Sequence, residues 1–410
     1  MLVVLWILKV IAAIGIAYGF YYFVMAWPLK RLTTAPPPPA GKQHRFAVLV
    51  FAKDEATVIG PLLESLNAQD YPRDAYHVFV TADNCTDDTA AIAAGLGATV
   101  WVRHNPDVIG KGYAMQWFFE RFRTECAGQY DACVVFDADN LVDPGFLTEM
   151  NKQRNLGNEI ALGYRLSKNP TSSAIAGTMS LFWLLQARLF HAGRVHRKLP
   201  CVTVGGTGYM FDLAVLPDGR WQACSMVEDI EFTLNSIAAG HTVTFTYDAV
   251  FYDEQPITWR QSLRQRYRWS LGTLQMLKYA TPGLVRTLRA RHGRTVDALL
   301  FSLGALIQGI TAIAGTAMTV LLGFVTGQWV VVGITSGSVT VVAFLATAAV
   351  GRTVLALEGK WWPGAWKAVL QLPLFVISWA VLYVVVLFYH NSKWRPIPHT
   401  EALRLEQVGM

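Results

Sequence analysis

Apolar and polar positions divide the chain into two kinds of sequence. Residues 2–27 are apolar except for Lys9, and a helix of that length reaches about 39 Å, more than the roughly 30 Å hydrocarbon core of a bilayer. The stretch ends in Trp27-Pro28-Leu29-Lys30-Arg31 rather than in the small-residue site of a cleaved leader. An uncleaved crossing is therefore expected, with Lys30 and Arg31 keeping the next segment in the cytoplasm. From Ala298 to Gly351 there is no charged residue, which is too long for one crossing. Thr326-Gly327-Gln328 is the natural turn, so the pattern predicts spans near 298–325 and 329–350. The run 368–389 is also uncharged and gives a fourth. Four crossings put the chain's end outside, whereas Lys393, Arg395 and Arg404 favour the cytoplasm. The two rules conflict, and a re-entrant or misread apolar segment would reconcile them.

The middle of the chain reads differently. Pro36–Pro39 is a stiff polyproline linker. Beyond it, short runs rich in Val, Phe and Ala recur at Phe46–Phe51, Val78–Thr81, Val100–Val102, Cys133–Phe136, Ile160–Leu162, Tyr209–Phe211 and Val243–Phe245. Helical patterns over 56–68, 87–96, 112–125, 145–155 and 229–239 separate most of them. Strands alternating with helices predict an α/β, Rossmann-like domain with a mostly parallel sheet and right-handed crossovers.

Composition agrees with a membrane protein. Hydrophobic residues make up 53% and charged residues 16%, and mean hydropathy is +0.30. A soluble domain carries about 25% charged residues. The five cysteines are scattered and form no C-x-x-C pair, which argues against a disulfide scaffold or a structural zinc site.

Ligands of an open α/β sheet bind beyond the carboxyl ends of its strands, so the residues just after each strand are the candidates. They are Ala52-Lys53-Asp54-Glu55, then Asp83-Asn84-Cys85-Thr86-Asp87-Asp88, then Asp137-Ala138-Asp139-Asn140. Asp83 and Thr86 can be read as an Asx turn and a helix cap. Asp137 and Asp139, two residues apart at the end of a buried strand, suit one hard cation such as Mg2+ or Mn2+. Glu228-Asp229 opens a helix, where an acid either complements the dipole or serves as a general base. Between Gln255 and Val296 there are nine Arg or Lys and no acid. Arg260, Arg264 and Arg268 share one helical face, which reads as a helix on anionic lipid. Arg268 beside Trp269 adds a guanidinium suited to a diphosphate and an aromatic face suited to a sugar ring.

Taken in order, Asp83, Asp137-Ala138-Asp139, Glu228-Asp229 and Gln265-Arg266-Tyr267-Arg268-Trp269 resemble the D, DxD, ED and Q-x-x-R-W series of membrane-embedded, processive family 2 glycosyltransferases. That group includes the cellulose, chitin and hyaluronan synthases. The layout is similar to that of the nodulation chitooligosaccharide synthase. Ala52–Glu55 and Gly110-Lys111-Gly112-Tyr113-Ala114 resemble the group's nucleotide-binding A-R-N-E and G-K-x-x-A. Val227 stands where the group has Thr, and Gly205–Tyr209 departs from its acceptor-side signatures.

The resemblance implies a GT-A domain over 45–257. It would come after a membrane helix (1–29) and a linker (30–44), and precede a basic interfacial region (258–295), membrane helices (296–390) and a tail (391–410). It implies inverting transfer from a UDP-sugar. Ala52, Glu55 and Asp83 would seat the uridine, Lys111 and Asp137 the nucleotide, and Gln265 with Arg268 the diphosphate. Asp139, with Asp137, would hold Mg2+ or Mn2+. Asp229 would be the base. Thr207, Gly208, Glu228 and Trp269 would face the acceptor. The acceptor is expected to be a growing polysaccharide exported across a bacterial inner membrane, a task open to an oligomer or to accessory export subunits. The rival is a lipid sugared once, and the apolar stretch Ala174–Phe190 would serve either acceptor. Membrane lipids are expected partners and nucleic acid is not. A transporter is disfavoured because its spans would carry buried charges.

Overall fold

A computed structural model describes residues 2–27, 41–391 and 401–408. Lys30, Arg31, Pro36–Pro39, Lys393 and the tail segment Trp394–His399 lie outside the described residues. In chain order, helix α1 (Leu2–Ala26) precedes β1 (Phe46–Ala52), α2 (Ile59–Asn67), β2 (Tyr76–Asp83), α3 (Thr89–Gly95), β3 (Thr99–Arg103), α4 (Lys111–Glu125), β4 (Ala132–Asp137), β5 (Leu141–Val142), α5 (Phe146–Asn155) and β6 (Ile160–Ser167). The eight-stranded sheet is completed by β7 (Tyr209–Asp212) and β8 (Val243–Asp253), with α8 (Glu228–Ala239) between them. Its order is β3-β2-β1-β4-β7-β6-β8-β5.

The first half is the parallel, doubly wound unit that the sequence pattern predicts, with β1 paired to both β2 and β4. Strands covered on both faces read as continuous apolar runs, and Phe46-Ala-Val-Leu-Val-Phe-Ala52 is buried almost throughout. Alternate residues feed opposite faces. Ala47 and Leu49 join one core with the α4 aromatics Phe118, Phe119 and Phe122. Phe46, Val48 and Val50 join another with Ile59, Leu62 and Leu66 of α2. Beyond β4 the sheet turns mixed, with β7 antiparallel to both β4 and β6.

The apolar stretch from Ala174 is helical. It runs as α6 (Ala174–Leu185), continues through a π turn at Gln186–His191, and ends in α7 (Ala192–His196). Next come α9 (Trp259–Tyr279) and α10 (Thr281–Ser302), then α11 (Gly304–Thr326), α12 (Trp329–Glu358) and α13 (Ala365–Phe388). Thr258 and Gln261 form a capping box that starts α9, the arrangement in which each side chain satisfies the other residue's backbone donor. The span expected from residue 298 begins at Gly304 instead, because residues 298–302 complete α10. Among the described residues, four helices, α1, α11, α12 and α13, are long and apolar enough to cross a membrane.

Charged residues that tie these helices to the α/β domain are buried in pairs. Arg194 of α7 meets Asp297 of α10 at 2.8 Å, both essentially inaccessible, and the Tyr21 hydroxyl of α1 donates to the same Asp297 at 2.7 Å. Arg188 meets Glu358, the last residue of α12, at 2.5 Å, and Tyr164 of β6 donates to that carboxylate at 2.8 Å. Removing one member of such a pair leaves a buried charge without its partner, which costs about 3–5 kcal/mol. Asp297→Ala is therefore expected to lower the thermal unfolding temperature in detergent markedly. The double variant Arg194→Met/Asp297→Leu should recover much of the loss. A single variant as stable as the parent would show that this pair does not anchor α1 and α10.

Candidate active site

The ends of β1, β2 and β4 and the start of α8 open onto one cavity of about 1300 Å³. Its wall includes Ala52, Glu55, Asp83, Lys111, Asp137, Asp139, Glu228, Asp229, Gln265, Arg268 and Trp269. The structure thus brings eleven of the thirteen sequence candidates together. Thr207 and Gly208 are the exceptions. The Thr207 hydroxyl accepts from the Asp137 amide at 2.9 Å and donates to Asn140, so it is used up inside the sheet. The Gly208 amide donates to Val135 at 2.8 Å, and the Phe251 ring fills the space where a side chain would stand. Gly205 and Gly206 line the cavity in their place.

Asp83 is buried and ion-paired to Arg103 at 2.5 Å, with the Asn84 amide on the same oxygen at 2.9 Å. The Asx-turn reading of Asp83 and Thr86 fails, because Thr86 bonds Asp54 instead, through its amide at 2.6 Å. Burial outweighs Arg103 and holds the Asp83 carboxyl above its ordinary pKa.

Lys111, the first residue of α4, reaches across to the Asp137 carboxylate and to the Gly206 carbonyl at 2.7 Å. Its neighbour Gly112 allows that reach. A Cβ there would lie 2.6 Å from the Ala223 carbonyl oxygen, so a larger residue would push α4 off the loop that leads into α8. Burial disfavours the Lys111 cation, but the Asp137 and Glu228 carboxylates outweigh this and raise its pKa.

Sequence reasoning missed Asp253, the last residue of β8. The Asn140 amide donates to Asp139 at 3.2 Å and to Asp253 at 3.1 Å, so one side chain spans two carboxylates. Arg165 of β6 meets Asp253 at 3.3 Å, bonds the Gly205 carbonyl, and lies 3.9 Å over the Trp183 ring. Asp139 and Asp253 are thus held on one side chain beside Asp137, and carboxylate oxygens are the ligand type that Mg2+ or Mn2+ takes. A second acidic group, Asp54, Cys85 and Asp87, has its ligand atoms within 4.8 Å of one another. Those atoms already bind the turn. Asp54 accepts from Thr86, Asp87 from Ala56 at 3.0 Å, and the half-buried Cys85 thiol is held above its ordinary pKa.

Glu228 and Asp229 are the first two residues of α8. Burial, and for Glu228 the adjacent Asp229 charge, raises both carboxyls, while Lys111 opposes the shift. The helix start favours their anions, but burial prevails. Across the cavity Trp269 meets Trp183 edge-on at 5.7 Å and Trp379 of α13 at 6.0 Å. Arg266, two residues before Arg268, faces away. It is fully buried and donates to the Phe375 carbonyl at 3.0 Å and the Ser378 hydroxyl at 2.8 Å.

A doubly wound sheet whose strand-end carboxylates face a basic helix is the arrangement of a GT-A domain. Residues 44–272 match the family described as "Glycosyltransferase like family 2", and the chain belongs to that family. It is 25% identical over 236 residues to the probable glycosyltransferase YdaM of Bacillus subtilis (strain 168), covering 56% of this chain and 55% of that one. It is 26% identical over 310 residues to a beta-monoglucosyldiacylglycerol synthase of Nostoc sp. (strain PCC 7120), covering 71% and 64%. The chain thus spans less than two thirds of the length of either relative. Among solved structures, a mannosyltransferase from Pyrobaculum calidifontis in complex with GDP-Man and Mn2+ has the same fold. Its TM-score is 0.56 at 18% identity, covering 92% of this chain and 99% of that one.

A raised carboxyl stays protonated to a higher pH and accepts a proton only above it. If Asp229 is the proton acceptor, the acid limb of turnover is expected above the ordinary aspartate value of 3.8. Steady-state rates from acid to neutral pH check this. A limb at the ordinary value would show that the working base is not a buried carboxyl.

Proposed function

We propose that the protein moves a hexosyl group from a UDP-sugar to the hydroxyl of a membrane lipid, with inversion. The observation that carries this reading is the continuity of the cavity. The wall that holds Asp137, Asp139 and Asp229 also holds Tyr18 and Tyr22 of α1, Gln308 of α11 and Tyr383 of α13. A lipid headgroup can therefore meet the donor while its chain stays among apolar helices. The relative named beta-monoglucosyldiacylglycerol synthase supports the same acceptor class.

The UDP moiety lies along Ala52, Glu55 and Asp83, with Lys111, Gln265 and Arg268 on the diphosphate. Asp139, with Asp137 and Asp253, would hold Mg2+ or Mn2+, which would offset the negative charge of the UDP leaving group. Asp229 takes the acceptor hydroxyl proton. The acceptor oxygen bonds to the anomeric carbon as the bond to UDP breaks, and the electron pair leaves with UDP. Glu228 and Trp269 face the acceptor. Nucleotide sugars are cytoplasmic metabolites, so the α/β domain faces the cytoplasm.

Transfer to a growing polysaccharide is the second reading, favoured by the Trp183–Trp269–Trp379 cluster, whose rings suit stacked sugars. Product analysis separates the two. Purified protein with labelled UDP-sugar and bilayer lipids is expected to give one organic-soluble glycolipid, and a ladder of water-soluble glycan would overturn the lipid reading. Asp229→Asn is expected to slow transfer by ~10²–10⁴-fold with UDP affinity within a few fold of the parent. Loss of UDP affinity matching the loss of rate would remove Asp229 from the base role. Trp269→Ala should keep donor binding and lose transfer. A stable Trp269→Ala protein with full transfer would end its acceptor role.

A further inference from the structure

α13 is as apolar as any crossing helix, yet it packs along the helices of the α/β domain. Its first turns pack on α6, where Ala368 lies beside Gly177 and Gln371 accepts from Thr178 at 2.8 Å. Its middle sits on α6 and α9. Phe375 and Trp379 both meet Phe182, the Trp379 indole donates to Ser270 at 3.1 Å, and Arg266 holds the Phe375 carbonyl. Its end returns to α9. The Tyr267 hydroxyl donates to the Tyr389 carbonyl at 3.0 Å and accepts from the Asn391 amide at 2.9 Å. Tyr267 lies between Arg266 and Arg268, so Phe375, Ser378, Trp379, Tyr389 and Asn391 all meet side chains from one short stretch of a helix that lines the candidate active site.

α11 gives an independent measure. Its start lies at the α/β domain, where Phe301, just before it, meets Phe190 of the π turn. A helix crossing from that side would end beside Thr326. The end of α13 instead packs on Gly309, where a Cβ would lie 2.9 Å from the Tyr383 carbonyl and 2.8 Å from Leu387. Gly309 is roughly 25 Å short of the far end of α11. Residues 401–408 agree. Lys168 of the α/β domain donates to the Glu401 carbonyl at 2.9 Å, and Arg404 meets Glu64 of α2 at 3.1 Å.

We propose that α13 lies along the membrane face of the α/β domain as a roof over the cavity, with both ends on the domain's side. Only α1, α11 and α12 of the apolar helices then cross, and the chain ends on the side of its active site. This resolves the conflict between four crossings and a basic tail. Phe375, Val376, Trp379, Ala380 and Tyr383 of this roof face the site, so an acceptor reaches it sideways from the near leaflet. The assignment stands on packing and does not depend on which sugar or acceptor is used.

The test places a protease site after Gly327, in the α11–α12 turn, and another after the last residue, in separate full-length proteins that retain UDP binding. In sealed vesicles with the α/β domain outward, added protease is expected to cut the terminal site at once and the Gly327 site only after detergent. Protection of both sites until detergent would overturn the proposal. A second measurement needs no insertion. Tyr267→Cys and Asn391→Cys are expected to be joined by a bis-maleimide much shorter than the roughly 30 Å hydrocarbon core. Failure to cross-link while both cysteines react singly would also overturn it.

Discussion

Charge beside a membrane must be paired or it costs several kcal/mol per ion, and this constraint shapes the molecule. Arg194 with Asp297, Arg188 with Glu358, Lys168 with Glu254 and Arg103 with Asp83 are all buried pairs. The first fixes α1 and α10 on the α7 belt, and the second fixes the end of α12. Lys168 ties β6 to the residue after Asp253, and Arg103 sets the carboxylate at the end of β2. Buried pairs add little net stability against apolar replacements of the same shape. What they supply here is position, since each sets an element that bounds the cavity.

That positioning gives the site its electrostatics. Lys111 occupies Asp137, Asn140 spans Asp139 and Asp253, and Arg165 closes the row at Gly205. Glu228 and Asp229 face these cations from a buried helix start that raises their carboxyls. One side of the cavity carries carboxylates tied to Lys111 and Arg165, and the other the raised pair Glu228 and Asp229, which the proposed function reads as the diphosphate side and the proton acceptor. A roof of apolar and aromatic residues joins them.

Much of this was legible in the sequence, because acids at the ends of apolar strands have few structural reasons to be there. Asp137 and Asp139 stood out in this way, Asp229 stood out only through its place in the family series, and the strand and helix pattern from residue 46 to 245 matched most of the sheet. Asp253 was not legible, since only the pairing of β8 with β6 brings it to Asn140. Arg266 and Arg268 look equivalent in sequence, and packing against α13 alone turns one into the core and leaves the other on the cavity. Thr207 and Gly208 were expected to face the acceptor, but β7 pairing with β4 draws them into the sheet. The lie of α13 was hidden for a plainer reason. Hydropathy measures how apolar a helix is, and a roof over a membrane-facing cavity is as apolar as a crossing.

The proposed chemistry rests on strand-end carboxylates that hold a nucleotide diphosphate through a divalent cation. Titration of UDP into the purified protein, with Mn2+ and with a chelator, probes this when the parent is compared with Asp139→Ala. Tighter UDP binding with Mn2+ is expected in the parent, and loss of that enhancement in Asp139→Ala. An Asp139→Ala protein that keeps the full enhancement would contradict the assignment and place the cation elsewhere.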